Sequence, residues 1–89
     1  MNITIDLTKK ECLNDFVFSE GMETKENKDY LEKNFEEIVQ NEIESLGCAI
    51  DEGDRNTPNV INDNRGELWV KDDDFNEIGC IGFYATVSI

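Results

Sequence analysis

The 89-residue chain contains no histidine and a single proline, Pro58. Without imidazole there is no Ser-His or Cys-His nucleophile, no His proton relay and no His-containing zinc site. Positive charge is also scarce. Eight Lys and Arg stand against 21 Asp and Glu, a formal net charge of -13, and the pI is near 4.1. Proteins that grip nucleic acid do so with cations that displace phosphate counterions, so this balance excludes direct nucleic-acid binding. Cys12, Cys48 and Cys80 are too far apart for a C-x-x-C metal or redox pair, and an odd count suits reduced thiols, so each is expected to be small core filling. No window approaches the roughly 20 apolar residues of a membrane span, and Met1–Leu7 lacks a basic stretch followed by an apolar one. The expectation is a cytosolic protein without cofactor.

What remains is enough to fold. Hydrophobic residues make up 38% and there are eight aromatics: one Trp, two Tyr and five Phe. Mean hydropathy is -0.54. That is too much apolar surface for a disordered tail, and the length suits one core, so residues 1–89 are read as a single acidic domain.

The periodicities alternate in kind. Ile3, Ile5 and Leu7 oppose Asn2, Thr4 and Asp6, the period-two pattern of a half-buried strand over 2–7. Thr8 with Glu11 three residues on makes a capping box, which predicts a short helix to about Phe16. Residues 19–26 read as a connection around Gly21. Between Asn27 and Leu46 the apolar positions Leu31, Phe35, Ile38, Val39, Ile43 and Leu46 form one helical stripe, with Asn27 or Asp29 as cap and Gly47 as the left-handed stop. Its back carries Asp29, Lys33, Glu36, Glu37, Gln40, Asn41 and Glu44. Cys48-Ala49-Ile50 is read as the opening of a short strand, followed by a long loop from Asp51 to Arg65. Residues 66–71 and 78–89 alternate again across the acidic turn Asp72–Glu77, a hairpin. The fold class expected is α+β: an antiparallel sheet of three or four strands, one long helix on one face and a possible short N-terminal helix.

No constellation carries catalysis. The carboxylates gather on the helix back and in turns, where they stay solvated and cannot serve as a pKa-shifted acid–base pair. Asp72-x-Asp74-x-Asn76 begins like a calcium loop, but Glu77 stands where Gly is needed and Phe83 where the bidentate Glu belongs, so no metal site is assigned. Gly79 and Gly82 inside a strand pattern signal a bulge or a close backbone approach. Trp69, flanked by Leu68 and Val70, is either an exposed interface anchor or packed beneath the long loop.

Charge carries the functional expectation. Between Lys33 and Arg55 there is no base, and the interval holds Glu36, Glu37, Glu42, Glu44, Asp51, Glu52 and Asp54; after Lys71 come Asp72, Asp73, Asp74 and Glu77. Helix positions three or four apart lie about 5–6 Å from each other, of the order of successive phosphates along a strand. Solubility alone needs a net charge of about 2–8 in a small domain, so the excess points to a basic partner. With the bare interval Glu36–Asp54 and the Asp72-Asp73-Asp74 turn, the chain resembles the small, acidic phage-encoded anti-CRISPR proteins. The resemblance implies an inhibitor, acting in the host cytosol, that imitates nucleic acid on the basic surface of an effector. The expected partner-binding set is Glu36, Glu37, Glu44, Asp51, Glu52, Asp54, Trp69, Asp72, Asp73 and Asp74, with no catalytic, cofactor or metal residue. Two other readings fit the same residues: an immunity protein for a nuclease toxin, and a non-catalytic adaptor that recognises its partner through Trp69 and the 51–65 loop.

Overall fold

A computed structural model describes residues 2–52 and 64–88, the side chains of 49–52 excepted. In chain order the elements are β1 (Asn2–Asp6), α1 (Lys9–Asp15), β2 (Val17–Phe18), α2 (Lys25–Glu52), β3 (Arg65–Lys71) and β4 (Glu77–Ser88). They make the expected α+β arrangement of a four-stranded antiparallel sheet, one long helix and one short one.

The sheet is organised around β4, whose alternation of Ile81, Phe83 and Ala85 inward with Gly82, Tyr84 and Thr86 outward is the longest period-two pattern in the chain. Cys80 pairs with both Trp69 of β3 and Val17 of β2, and Tyr84 with both Arg65 of β3 and Asp6 of β1. A strand has two edges, so β3 occupies one edge of β4 while β1 and β2 share the other. Ten residues separate Asp6 from Val17, whereas three separate their partners Tyr84 and Cys80. The extra residues are α1, a helical insertion in what is otherwise one interrupted edge strand. Thr8 starts it as the capping box predicts: its backbone is extended and its hydroxyl accepts a hydrogen bond from the Glu11 N–H at 3.1 Å. Strand β2 has no sequence signature, because two residues cannot display a period.

The long helix departs from expectation at both ends. It begins at Lys25, capped by Thr24, whose hydroxyl accepts from the Asn27 N–H at 3.2 Å and whose carbonyl accepts from Lys28 N–H at 3.0 Å. Asn27 is not the cap; its side-chain amide donates back to the Met22 carbonyl at 2.8 Å and ties down the chain entering the helix. Nor does Gly47 stop it. The helix runs through Gly47 to Glu52, so residues 48–50 are helical rather than a strand, and Asp51 and Glu52 belong to the helix rather than to a loop. Gly costs a helix interior about 1 kcal/mol, an amount that continued backbone hydrogen bonding and the packing of Leu46 offset. At 1.5 Å per residue α2 is roughly 40 Å long, matching the 39 Å long axis of the molecule. The rest of the loop expected over 51–65, residues 53–63, lies outside the described residues, as does Ile89.

The core lies between α2 and one sheet face: Ile5, Leu68, Val70, Ile81, Phe83 and Ala85 from the sheet, Cys12 and Phe16 from α1 and its cap, and Leu31 from α2. Leu31 is 1% exposed, while Phe35, Ile38, Val39, Ile43 and Leu46 are only half-buried. Truncating a side chain so buried costs about 2–5 kcal/mol, a large part of a small domain's stability. Of the three thiols only Cys12 fills the core, where burial pushes its pKa up. Cys48 is exposed on α2 and Cys80 lies on the opposite sheet face, which corrects the expectation that all three are internal.

The break in register between Val70 and Lys71 leaves Ile78 opposite no β3 residue, a β-bulge that drives Ile78 to 0% exposure and offers its carbonyl to the Ser19 N–H at 2.8 Å. The next residue, Gly79 (φ 156°), has no room for a side chain. A Cβ there would collide with the Val17 carbonyl and come within 2.7 Å of the Phe16 ring and 2.9 Å of the Phe18 Cα. Gly82 has only the Gly66 carbonyl nearby, at 3.9 Å. Gly79→Ala is therefore expected to lower the thermal midpoint sharply or prevent folding, because the obstacle is backbone. Gly82→Ala should shift it by no more than a few degrees. Circular dichroism melts of the two variants side by side check this, and equal melts would contradict the close approach.

Candidate interaction surface

Glu36, Glu37 and Glu44 project from the solvent-facing back of α2, and all three are exposed. Glu37 and Glu44, seven residues apart, lie on nearly the same line about 10 Å from each other, because seven residues make close to two turns. Gln40 lies between and its amide reaches Glu44 Oε1 at 3.5 Å. The last turn of the helix contains no basic residue, so the negative pole of its macrodipole adds to the anionic field instead of being cancelled.

Helix and hairpin meet at one end. Tyr30 on α2 has a phenol whose pKa is raised by burial first and then by the negative charges of Asp73, Glu37 and Asp72. Those three acids, one from the helix and two from the β3–β4 turn, are thus all within electrostatic reach of one side chain. Asp51 and Glu52 are not part of this group. Gly47 lies by Ile3, which pairs with Val87 at the far end of β4, so the helix C-terminus is at the opposite pole from the hairpin. The side chains of Asp51 and Glu52, and Asp54 entirely, lie outside the described residues.

The three turn aspartates have different duties. Asp72 Oδ1 accepts from the N–H groups of Asp74 and Asn76, each at 2.9 Å. Its carbonyl accepts from Phe75 N–H at 3.0 Å. This carboxylate builds the turn, while Asp73 and Asp74 remain exposed for a partner. The turn also holds Phe75 at φ 65°, a left-handed conformation, with 82% of its surface exposed. A non-glycine residue there carries backbone strain of about 1 kcal/mol or more and displays an aromatic ring at the hairpin tip.

Trp69 is 53% exposed, as its position between the buried Leu68 and Val70 requires. Its indole N–H donates to Glu67 Oε2 at 3.2 Å, so the ring stands on the open sheet face, away from α2. Tyr84 and Val17, both exposed, share that face. Trp69 therefore belongs to a different surface from the helix acids with which it was grouped. Tyr84 and Phe75 lie outside the expected partner-binding set, although the strand parity of the first and the Asp-rich turn around the second are both visible in the sequence. Glu42 is one of the seven acids of the base-free interval between Lys33 and Arg55. Glu42 in fact falls eleven residues after Leu31, about three turns, on the core stripe itself, and burial alone raises its carboxyl pKa above the ordinary 4.5.

Comparison of the chain with family models, with curated proteins and with solved structures finds no match. Among the described residues no helix is long and apolar enough to cross a membrane.

Two measurements follow from this geometry. A carboxyl whose pKa is raised by folding contributes stability that is complete below its unfolded value and is lost as pH rises through the folded one. Glu42→Gln removes that loss, so the variant is expected to melt higher than the wild type at pH 7 and at the same temperature once the pH falls below 4.5, the ordinary value. A difference that persists on acidification would contradict the desolvation of Glu42. Phe75→Gly relieves the left-handed strain and is expected to stabilise the fold by about 1 kcal/mol, read as a raised urea midpoint at unchanged slope.

Proposed function

We propose that this chain is a non-catalytic inhibitor that acts in the cytosol. It binds the basic, nucleic-acid-binding surface of a target protein and excludes DNA or RNA by charge mimicry. A CRISPR effector is the target class to which the resemblance points. The observation that carries the reading is the exposed acids Glu36, Glu37 and Glu44 on a helix back with no cation after Lys33, together with the exposed Asp73 and Asp74 of the β3–β4 turn; Glu37, Asp72 and Asp73 all act electrostatically on Tyr30. A helix and a hydrogen-bonded turn hold the backbone of these acids in place, so binding orders side chains but not chain, and like charges so placed repel one another until a cationic surface relieves them. Such a surface raises association rates by roughly 10–1,000-fold.

One observation favours a second reading. The open sheet face sets Trp69 and Tyr84 with Arg65, Glu67 and Asp6, an aromatic patch with one base and two acids that suits an adaptor.

The two readings separate in one experiment. An affinity pull-down from the native host, eluted with a salt gradient, is expected to recover a strongly basic, nucleic-acid-handling protein. Its affinity should fall at least about tenfold between low and high ionic strength. Glu36→Gln, Glu37→Gln, Glu44→Gln, Asp73→Asn and Asp74→Asn combined should weaken the complex more than Trp69→Ala does. Salt-independent binding that Trp69→Ala abolishes would overturn mimicry in favour of the adaptor.

A further inference from the structure

Along one flank of α2, between the helix and β3, runs a groove of about 200 Å³. Tyr30, Ile38, Asn41 and Glu42 form its helical wall, and the segment Leu68–Lys71 of β3 forms the other. Leu68 and Val70 are buried and Ile38 half-buried, so its floor is apolar. Glu42 occupies a place in the stripe where Ile38, Val39 and Leu46, three or four residues away, are its neighbours. The carboxylate interrupts that apolar stripe, and burial is what raises its pKa: among the described residues no hydrogen bond and no cation lowers it. The polar groups that share the groove with it are Tyr30 and Asn41 on its own helix and Lys71 on the rim of β3. At the Tyr30 end the acids Asp73, Glu37 and Asp72 extend the negative potential.

A groove that is apolar at Leu68, Val70 and Ile38, polar at Tyr30, Asn41 and Lys71, and holds a carboxylate with no hydrogen-bond partner among the described residues suits a long side chain with a methylene stem and a cationic head. Of the two candidates, guanidinium is the weaker in hydration and presents a planar fork that can reach both oxygens of a carboxylate and a neighbouring amide oxygen at once, whereas ammonium is a compact, strongly hydrated point charge. We infer that this groove receives an arginine side chain of the basic partner, with Glu42 as its carboxylate anchor and Asn41 beside it. The inference rests on the proposed reading that the partner is basic, and it adds a discrete pocket to a diffuse charged face. It also explains why a core position holds an acid. Leucine at 42 would pack better and cost nothing in desolvation, so the carboxylate is kept for what it binds.

The test uses the full chain, uniformly 15N-labelled, titrated at low salt with acetyl-tetra-arginine amide and, separately, with acetyl-tetra-lysine amide. The arginine peptide is expected to move the amide resonances of 38–42 and 68–71 and to bind several-fold more tightly than the lysine peptide. Glu42→Gln should weaken it about tenfold, the loss of a charge-assisted bidentate contact. Glu42→Leu should weaken it as much while raising the thermal midpoint, which shows that the loss is not one of folding. Glu11→Gln, an equal change of net charge on exposed α1, is the control and should stay within about twofold, since its charge is remote and screened. Equal binding of both peptides would overturn the assignment to arginine. If both Glu42 variants bind like the wild type while the combined changes at Glu36, Glu37 and Glu44 weaken binding, the groove is wrong and the charged face stands. If no acid change weakens binding of either peptide, both fall.

Discussion

Pairing of β4 along both of its edges is the constraint on which the molecule depends. β1, β2 and β3 all hydrogen-bond to this one strand, and its inward residues Ile81, Phe83 and Ala85 are the floor on which α2 rests. A chain with a net charge of -13 works against its own compaction, because like charges gathered in a small volume favour expansion. Here that expansion is opposed by a narrow core and by a backbone ladder that carries no charge. The close approach at Gly79 belongs to the same device: it lets β2, two residues long, seat against β4 where the bulge has pushed Ile78 inward.

The acids are not spread evenly over this scaffold. Some perform structural work, Asp72 by closing the turn with its own carboxylate. Others, Glu36, Glu37, Glu44, Asp73 and Asp74, satisfy nothing in the fold beyond hydration. Glu42 is a third kind, a charge placed where the fold is worse for it. Sorting carboxylates by what the rest of the chain asks of them separates candidates for recognition more sharply than counting them, since a solvated surface acid is an ordinary thing to find. The same sorting sets Trp69 apart. An indole on the open sheet face cannot touch the target that the helix back touches unless that target wraps around the domain.

Much of the architecture was legible from residue order. The alternation of Ile3 and Ile5, of Leu68 and Val70, and of Ile81 through Ala85 specified three strands, and Thr8 with Glu11 specified the start of α1. The misreadings have identifiable physical causes. Gly47 carries the usual stop signal, but a helix already docked along its length gains more from continuing than the glycine costs. Asn27 is a good cap by type, and Thr24 took that place because the chain enters three residues earlier, leaving Asn27 to bond backwards to Met22. Strand β2 exists because β4 is there to pair with it, which no local pattern records. The candidate surface was legible in composition and not in layout: which acids converge depends on the hairpin folding back beside the first half of α2, a contact between residues some forty positions apart.

Asn2 pairs with Ser88, so the two ends of the described chain emerge side by side at one corner. The hairpin tip lies at the other end of β4, twelve residues long and therefore about 35–40 Å away. A protein anchored to a support, or fused to a second domain, through either of these positions would hold the Asp73 and Phe75 end outward and unobstructed. Joining the two positions with a short linker and reopening the chain elsewhere would preserve every β1–β4 pair, which makes the domain a natural candidate for circular permutation.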